Sequence, residues 1–342
     1  MSQTNSRFLF VIAPCEVFGL ERLLRCRLIA QSLVACGGAC TAVVTAQSAQ
    51  LLTSLAPFIT CATTEAETLD GVFEAAGRLH YDAVVIDHPG LSRDDHVALA
   101  GDRPSVVLDD LAERQVGGVI VVNPSLVCAS ETYRGLSLDE AEILGAPLHA
   151  LVTSDLRRTQ GAPRLEQETV RKVLLAIPSE ISADLAMRMV DSLRPKLGEA
   201  VLEILLPPDF ANLRGLSRIA ARDTRLSLHA SSEASPDAAS RADVAIIALG
   251  AGLWDYCARG LPIVAISAKP SDHATAAYLA EHEAAIVLDC LDRGFEAGLE
   301  RALVRLMTDP TLRARLGGNS ATLVDGGGPD RIAQKLIGLL PR

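Results

Sequence analysis

The side chains best suited to chemistry stand at the ends of short apolar runs. Residues 83–86 end at Asp87-His88, residues 105–108 at Asp109-Asp110, and residues 119–122 at Asn123-Pro124. If these runs are strands of an open parallel sheet, their carboxyl ends form a ligand crevice. Taken singly, each Asp or Asn fits better as a cap on the next helix or turn. Their repetition at three successive strand ends points to one shared site. Removing a proton from water or a hydroxyl needs a positioned base. Asp87 and His88 form one candidate pair and Asp272-His273 a second. Glu21, a carboxylate beside Arg22 in the first loop, is a third.

A different signal lies in ADVAIIALGAGLWDYCARGLPIVAI, residues 242–266. An apolar run meets Gly250-Ala251-Gly252, and a helical segment follows. Glycines at that place let backbone amides approach an anion closely. Asp255, just beyond, has the chemistry to accept hydrogen bonds from ribose hydroxyls. The bland alternative is an ordinary strand-to-helix turn. Metal chemistry is not expected: His282-Glu283 has no second ligand at helical spacing, and Asp94-Asp95 and Asp109-Asp110 read as turns or caps.

Alternating strands and helices must position these residues. Residues 7–13 read as a first strand. Leu20, Leu23, Leu24 and Leu28 then recur at helical spacing up to Gly37-Gly38, a C-terminal stop. Strand signals return at 39–44, 83–86, 105–108 and 119–122, with a helix expected over 65–79. A polar stretch at 153–169 reads as a linker. A second alternation follows, with strands expected at 172–177, 201–206, 225–228, 242–248 and 263–266, and helices at 183–193, 253–259, 272–282, 294–308 and 310–324. A last helix starts at Asp330, after the turn Asp325-Gly326-Gly327-Gly328. The pattern predicts an α/β protein with two Rossmann-like halves, about 1–155 and 165–325, and a C-terminal helix over 326–342 packing back on the first half.

The length of 342 residues suits two domains. A formal net charge of −10, with no basic run, argues against nucleic acid as a partner. The apolar FLFVIAP near the start is too short for a membrane span and lacks the flanks of a signal peptide. The eight cysteines form no CxxC and read as reduced thiols, so a cytoplasmic location is expected.

Trp254-Asp255, Cys257 and Gly260-Leu261-Pro262 resemble the GGST-x-WE-x-C-x-x-GLP segment of the UDP-sugar hydrolases of pseudaminic acid biosynthesis. Ile86-Asp87-His88, Leu108-Asp109-Asp110-Leu111 with Asn123-Pro124, and Val324-Asp325-Gly326-Gly327-Gly328 with Arg331-Ile332-Ala333 resemble further motifs of that family, in order, over nearly the whole chain. The resemblance implies a GT-B fold and a UDP-linked sugar as ligand, with no cofactor. It also implies a role in nonulosonic acid or surface-glycan pathways such as flagellin glycosylation, alongside partner enzymes of the same pathway.

The departures fall at the family's polar positions. The family's catalytic His is Arg22 here, and an arginine is no base near neutral pH. Its Tyr is Pro89, its Gly-Gly pair is Pro178-Ser179, its Gly-Ser-Thr is Gly250-Ala251-Gly252, and its Asn-Gln is Asp272-His273. Arg22, Asp272 and His273 are thus expected to bind substrate, and Gly250, Ala251, Gly252 and Asp255 the nucleotide. A divergent hydrolase releasing UDP is the first expectation. The alternatives are a glycosyltransferase, with Arg22 binding an acidic acceptor, and a non-catalytic protein that binds a nucleotide-sugar or a partner enzyme.

Overall fold

The computed structural model describes residues 5–64, 69–127, 129–152, 169–177, 181–206, 210, 213–230, 240–250 and 252–341. The chain divides into two compact units, Met1–Ser154 with Gly326–Arg342, and Asp155–Asp325.

The first unit is built on a parallel sheet of seven strands: β1 (Arg7–Ile12), β2 (Ala39–Thr45), β3 (Ile59–Thr64), β4 (Ala83–Asp87), β5 (Ser105–Leu108), β6 (Ile120–Val127) and β7 (Glu142–Ala146). Their order is β3-β2-β1-β4-β5-β6-β7. Helices α1 (Cys15–Phe18), α2 (Glu21–Ala35), α3 (Ala46–Leu55), α4 (Leu69–Gly77), α5 (Arg93–Ala100) and α6 (Ala129–Thr132) connect them. Strand β1 shows why its sequence is apolar throughout. Phe8, Phe10 and Ile12 enter the core on one face of the sheet, and Leu9 and Val11 enter the core on the other. A central strand covered on both faces has no solvent side to make polar.

The second unit repeats the design with six parallel strands: β8 (Lys172–Ala176), β9 (Val201–Leu206), β10 (Leu226–Ala230), β11 (Val244–Ala248), β12 (Ile263–Ser267) and β13 (Ala285–Asp289). Their order is β10-β9-β8-β11-β12-β13. Its helices are α7 (Ala183–Leu193), α8 (Leu213–Ala220), α9 (Leu253–Ala258), α10 (His273–Glu281), α11 (Phe295–Thr308) and α12 (Pro310–Leu323). Both sheets reverse their strand order beside the first strand, at β1/β4 and β8/β11. In doubly wound sheets this is the topological switch point, where the chain leaves a crevice at the strands' carboxyl ends.

The last helix, α13 (Gly328–Gly338), belongs to the first unit. Ile332, Ala333 and Leu336 enter the same core as Ile29 and Leu33 of α2. The Ser32 hydroxyl donates to Asp330 at 2.6 Å. Gly328 makes this approach possible, since a Cβ there would lie 2.2 Å from the Ala150 carbonyl oxygen.

Three strands lacked a sequence signal: β3, β7 and β13. All three are sheet edges. An edge strand is half exposed, so ITCATT, EILGA and AIVLD mix polar and apolar residues and break the continuous run that marks a buried strand. Residues 65–68 of the expected helix over 65–79, and 153–168 of the expected linker, lie outside the described residues. Among the described residues, no helix is long and apolar enough to cross a membrane.

Candidate functional site

At the switch point of the first sheet, β4 ends on Asp87 and α2 begins with Glu21. Arg22 and Arg25, three residues apart, share one face of that helix. Arg25 holds Asp87 through Nε to Oδ2 and Nη2 to Oδ1, both at 2.5 Å. Arg22 Nη1 reaches Oδ1 at 2.5 Å. Asp110, in the loop after β5, accepts from Arg25 Nη1 at 2.6 Å and lies 3.6 Å from Arg22 Nη2. Burial alone would raise the pKa of the fully buried Asp87. The charges and hydrogen bonds of Arg25 and Arg22 outweigh it and hold the carboxyl below its usual range. Such a carboxylate is a poor proton acceptor. Its visible work is to hold two guanidiniums in place.

His88, next along, is also buried. Its Nδ1 accepts from the Gly90 amide at 3.2 Å, so the neutral ring carries its proton on Nε2. Burial, followed by the nearby charge of Arg22, pushes its pKa down. Phe18 lies 6.2 Å from the His88 ring, and Arg22 stands over Phe18 at 5.8 Å. Glu21 makes no hydrogen bond or ion pair with any described residue. Water reaches it, yet enough protein surrounds it that desolvation raises its pKa. Arg25 and Arg22 oppose that rise, while Asp110 and Asp87 add to it.

Asp109 and Asn123 form a separate, structural network. Asp109 Oδ2 accepts from the Tyr133 hydroxyl at 2.6 Å and the Ala112 amide at 2.9 Å, and its Oδ1 accepts from Arg114 at 3.0 Å. Asn123 Oδ1 caps the Ser125 and Leu126 amides. Asp109 shapes the loop after β5, whereas Asn123 lies inside β6, which runs on to Val127 with a register shift beyond Asn123, so the strand expected to end at residue 122 does not end there.

In the second unit, Gly250 and Gly252 flank the exit of β11 at the other switch point, and both are exposed. Among the described residues, a Cβ at Gly250 would meet nothing within 4 Å, and one at Gly252 only the Tyr256 ring at 3.8 Å. Neither glycine has a positive φ. Neither packing nor backbone conformation therefore requires glycine at these positions. Ala251 and Pro178-Ser179 lie outside the described residues. Asp255 sits in the first turn of α9, partly buried. By contrast, Trp254, Cys257 and Leu261 are core residues. Gly260 has φ +64° and packs against α12, where a Cβ on Gly317 would lie 2.3 Å from the Gly260 oxygen.

The Asp272-His273 pair separates. Asp272 is 3% exposed, and its Oδ2 accepts from the Ala268 and Lys269 amides at 2.9 and 3.1 Å. His273 is exposed, its Nε2 3.9 Å from Asp289. Sequence reasoning missed Arg25 and named Asp110 only as a strand-end residue; the two complete the cluster around Asp87. The Arg-x-x-Arg spacing of Arg22 and Arg25 was the available signal. No group of three or more His, Cys, Asp or Glu able to hold a metal occurs among the described residues.

No protein-family model matches the chain, and no curated protein matches it significantly. Solved structures do match it in shape. The chain is similar to the spinosyn forosaminyltransferase SpnP (14% identity, TM-score 0.63), covering 98% of this chain and 99% of that one. It is similar to the S. aureus MnaA–UDP co-structure (12%, TM-score 0.66; 98% and 99%). It is also similar to Anabaena HepE in complex with UDP and glucose (14%, TM-score 0.66; 98% and 100%). At such identities the likeness establishes fold. It supports the GT-B class and does not single out the pseudaminic acid hydrolases. With two doubly wound parallel sheets whose strand orders match over six strands and whole-length likeness to such structures, the chain has the GT-B type of two-domain fold.

Proposed function

We propose that this chain is a glycosyltransferase that takes a UDP-linked sugar as donor. The observation that carries this reading is the open glycine pair at the β8/β11 switch point, glycines demanded by neither packing nor φ. Backbone amides freed of side chains are suited to a diphosphate, and the carboxyl ends of strands at a switch point are where doubly wound sheets bind nucleotides. Two of the similar structures are named as complexes with UDP, which supports UDP as the nucleotide here. In this reading Gly250, Ala251, Gly252 and Asp255 form the nucleotide site.

A second reading, hydrolysis of the UDP-sugar with water as the acceptor, is favoured by the ordered motif resemblance. The retained motif residues Trp254, Cys257 and Leu261 are buried in the core, however, so they report scaffold and not chemistry. A place in nonulosonic acid or flagellin glycosylation, with partner enzymes, rests on that same resemblance.

Calorimetry with UDP tests the nucleotide site. Incubation with a panel of UDP-sugars, with and without hydroxyl acceptors, tests the reaction by mass spectrometry. A glycoside product supports transfer. Free sugar made without any acceptor supports hydrolysis. UDP binding with no turnover supports a non-catalytic role, and failure to bind UDP defeats all three.

A further inference from the structure

A cavity of about 550 Å³ lies between the edge strand β7 and the last helix, α13. Its wall includes Glu142 and Leu144 of β7, Leu148 and His149 just beyond, and Arg331 and Lys335 of α13. All six belong to the first unit. The volume is that of a small-molecule site. His149 is 8% exposed, and its Nδ1 lies 3.2 Å from the Gly145 carbonyl oxygen. A carbonyl only accepts, so the neutral ring carries its proton on Nδ1 and keeps a lone pair on Nε2. Among the described residues Nε2 has no partner, and it is not sealed in the core, so it opens on the cavity that the ring lines. Burial pushes the His149 pKa below its usual 6.5, and Lys335 and Arg331 push the same way, against the Gly145 hydrogen bond and the Glu142 charge. A buried acceptor left unanswered calls for a donor. Lys335 pairs with Glu142, and its ammonium has N–H donors to spare. Arg331 Nη1 donates to the Leu148 carbonyl at 2.8 Å, which fixes the guanidinium on the wall. Two cations against one carboxylate leave that wall net positive.

We propose that this cavity is a ligand site of its own, separate from the nucleotide loop, and that it takes a small hydroxylated anion: a carboxylate or phosphate ester with a hydroxyl close to the charged group. The anionic group pairs with Lys335 and Arg331. The hydroxyl donates to His149 Nε2. The carbon skeleton lies on Leu144 and on Leu148, which is 53% exposed. A metal ion is a poor fit, because two cations stand beside the one open imidazole nitrogen. The ligand touches both β7 and α13, so its binding favours the seated form of the last helix. The site depends on no part of the donor-sugar reading.

The test uses the full chain and four probes: glycerol 3-phosphate, glycerate, n-propyl phosphate and propionate. The last two keep the charge and lose the hydroxyls. Binding is measured by calorimetry, and amide hydrogen exchange is followed in α13. The expected result is saturable binding of glycerol 3-phosphate or glycerate, roughly tenfold tighter than that of the matching hydroxyl-free probe, with slower exchange in α13. The tighter of the two hydroxylated probes identifies phosphate or carboxylate as the anionic group. Lys335→Met, a change at a partly exposed side chain, is expected to weaken that binding by roughly tenfold. His149→Phe is expected to erase the preference for the hydroxylated probe. The comparison of probes on the wild-type chain needs no variant to fold. Equal affinity for the hydroxylated and hydroxyl-free probes overturns the proposal. So does binding that Lys335→Met leaves unchanged, and so does the absence of saturable binding of every probe at millimolar concentration.

Discussion

Arg25 and Asp87 stand 62 residues apart in the chain and meet side by side, with two of the guanidinium nitrogens on the two carboxylate oxygens, each at 2.5 Å. This bidentate pair, almost wholly buried, joins the first turns of α2 to the end of β4 and fixes the geometry of the first switch point.

Breaking that pair from one side leaves a buried charge without its partner. Arg25→Ala is expected to lower stability by about 3–5 kcal/mol, read by urea unfolding at neutral pH. Asp87→Asn is expected to do comparable harm, because it strands two guanidiniums. The folded pKa of Asp87 lies below its ordinary 3.8, so its contribution is fully present above that value and is lost as pH falls below it. The same titration in Asp87→Asn should lack this component of acid unfolding.

His96 supplies a second acid-sensitive element. It is fully buried in α5, its Nδ1 accepts from the Gly117 amide at 3.2 Å, and its Nε2 has no partner. Burial and the charge of Arg114 push its pKa from 6.5 to about 4. The unfolded chain therefore takes up this proton first as pH falls. Stability contributed by the neutral ring is complete above pH 6.5, declines from there to about 4, and then levels off. The loss amounts to about 3 kcal/mol at 1.36 kcal/mol per pKa unit. Unfolding midpoints measured from pH 7 to 4 should show that slope, and His96→Gln should flatten it.

Glycine substitutions separate the binding loop from the scaffold. Gly250→Val adds a Cβ that meets no described residue within 4 Å, so stability should stay within about 0.5 kcal/mol while UDP affinity falls by roughly tenfold or more. Gly317→Ala drives a methyl to 2.3 Å from the Gly260 oxygen and should cost about 1–3 kcal/mol in unfolding. A Gly250→Val chain that binds UDP as wild type does would remove this loop from the nucleotide site.

Gly328→Ala tests how the last helix is seated. Its Cβ would fall 2.2 Å from the Ala150 oxygen, backbone that cannot swing away as a side chain can. The substitution should lower the thermal midpoint and speed amide hydrogen exchange in α13 and in the α2 face around Ile29 and Leu33 that it covers.

Much of the fold was legible because interior parallel strands are apolar along their whole length. The spans of β5 and β9, and of α7, coincide with their sequence signals to the residue. Edge strands β3, β7 and β13 were illegible because one side of each meets water, and their composition shows it. The motif frame was legible too, though what it reported was packing: Trp254, Cys257 and Leu261 persist where the core has no room for change.

The candidate site divides along the same line. The sequence by itself determined that Asp87 and Asp109 stand at strand ends and that glycines follow a buried run, because these follow from local periodicity, while it placed the end of β6 several residues too early. It could not determine that Asp87 is consumed by Arg25, that Asp272 is a backbone cap, or that Glu21 keeps its oxygens free. Those outcomes depend on strand order and helix seating, which bring residue 25 to residue 87 across two intervening strands of chain. Two carboxylates, Glu21 and Asp87, share one cluster and differ in fate, since two guanidiniums hold the buried Asp87 ionised while desolvation raises the pKa of Glu21, which has no hydrogen-bond partner among the described residues.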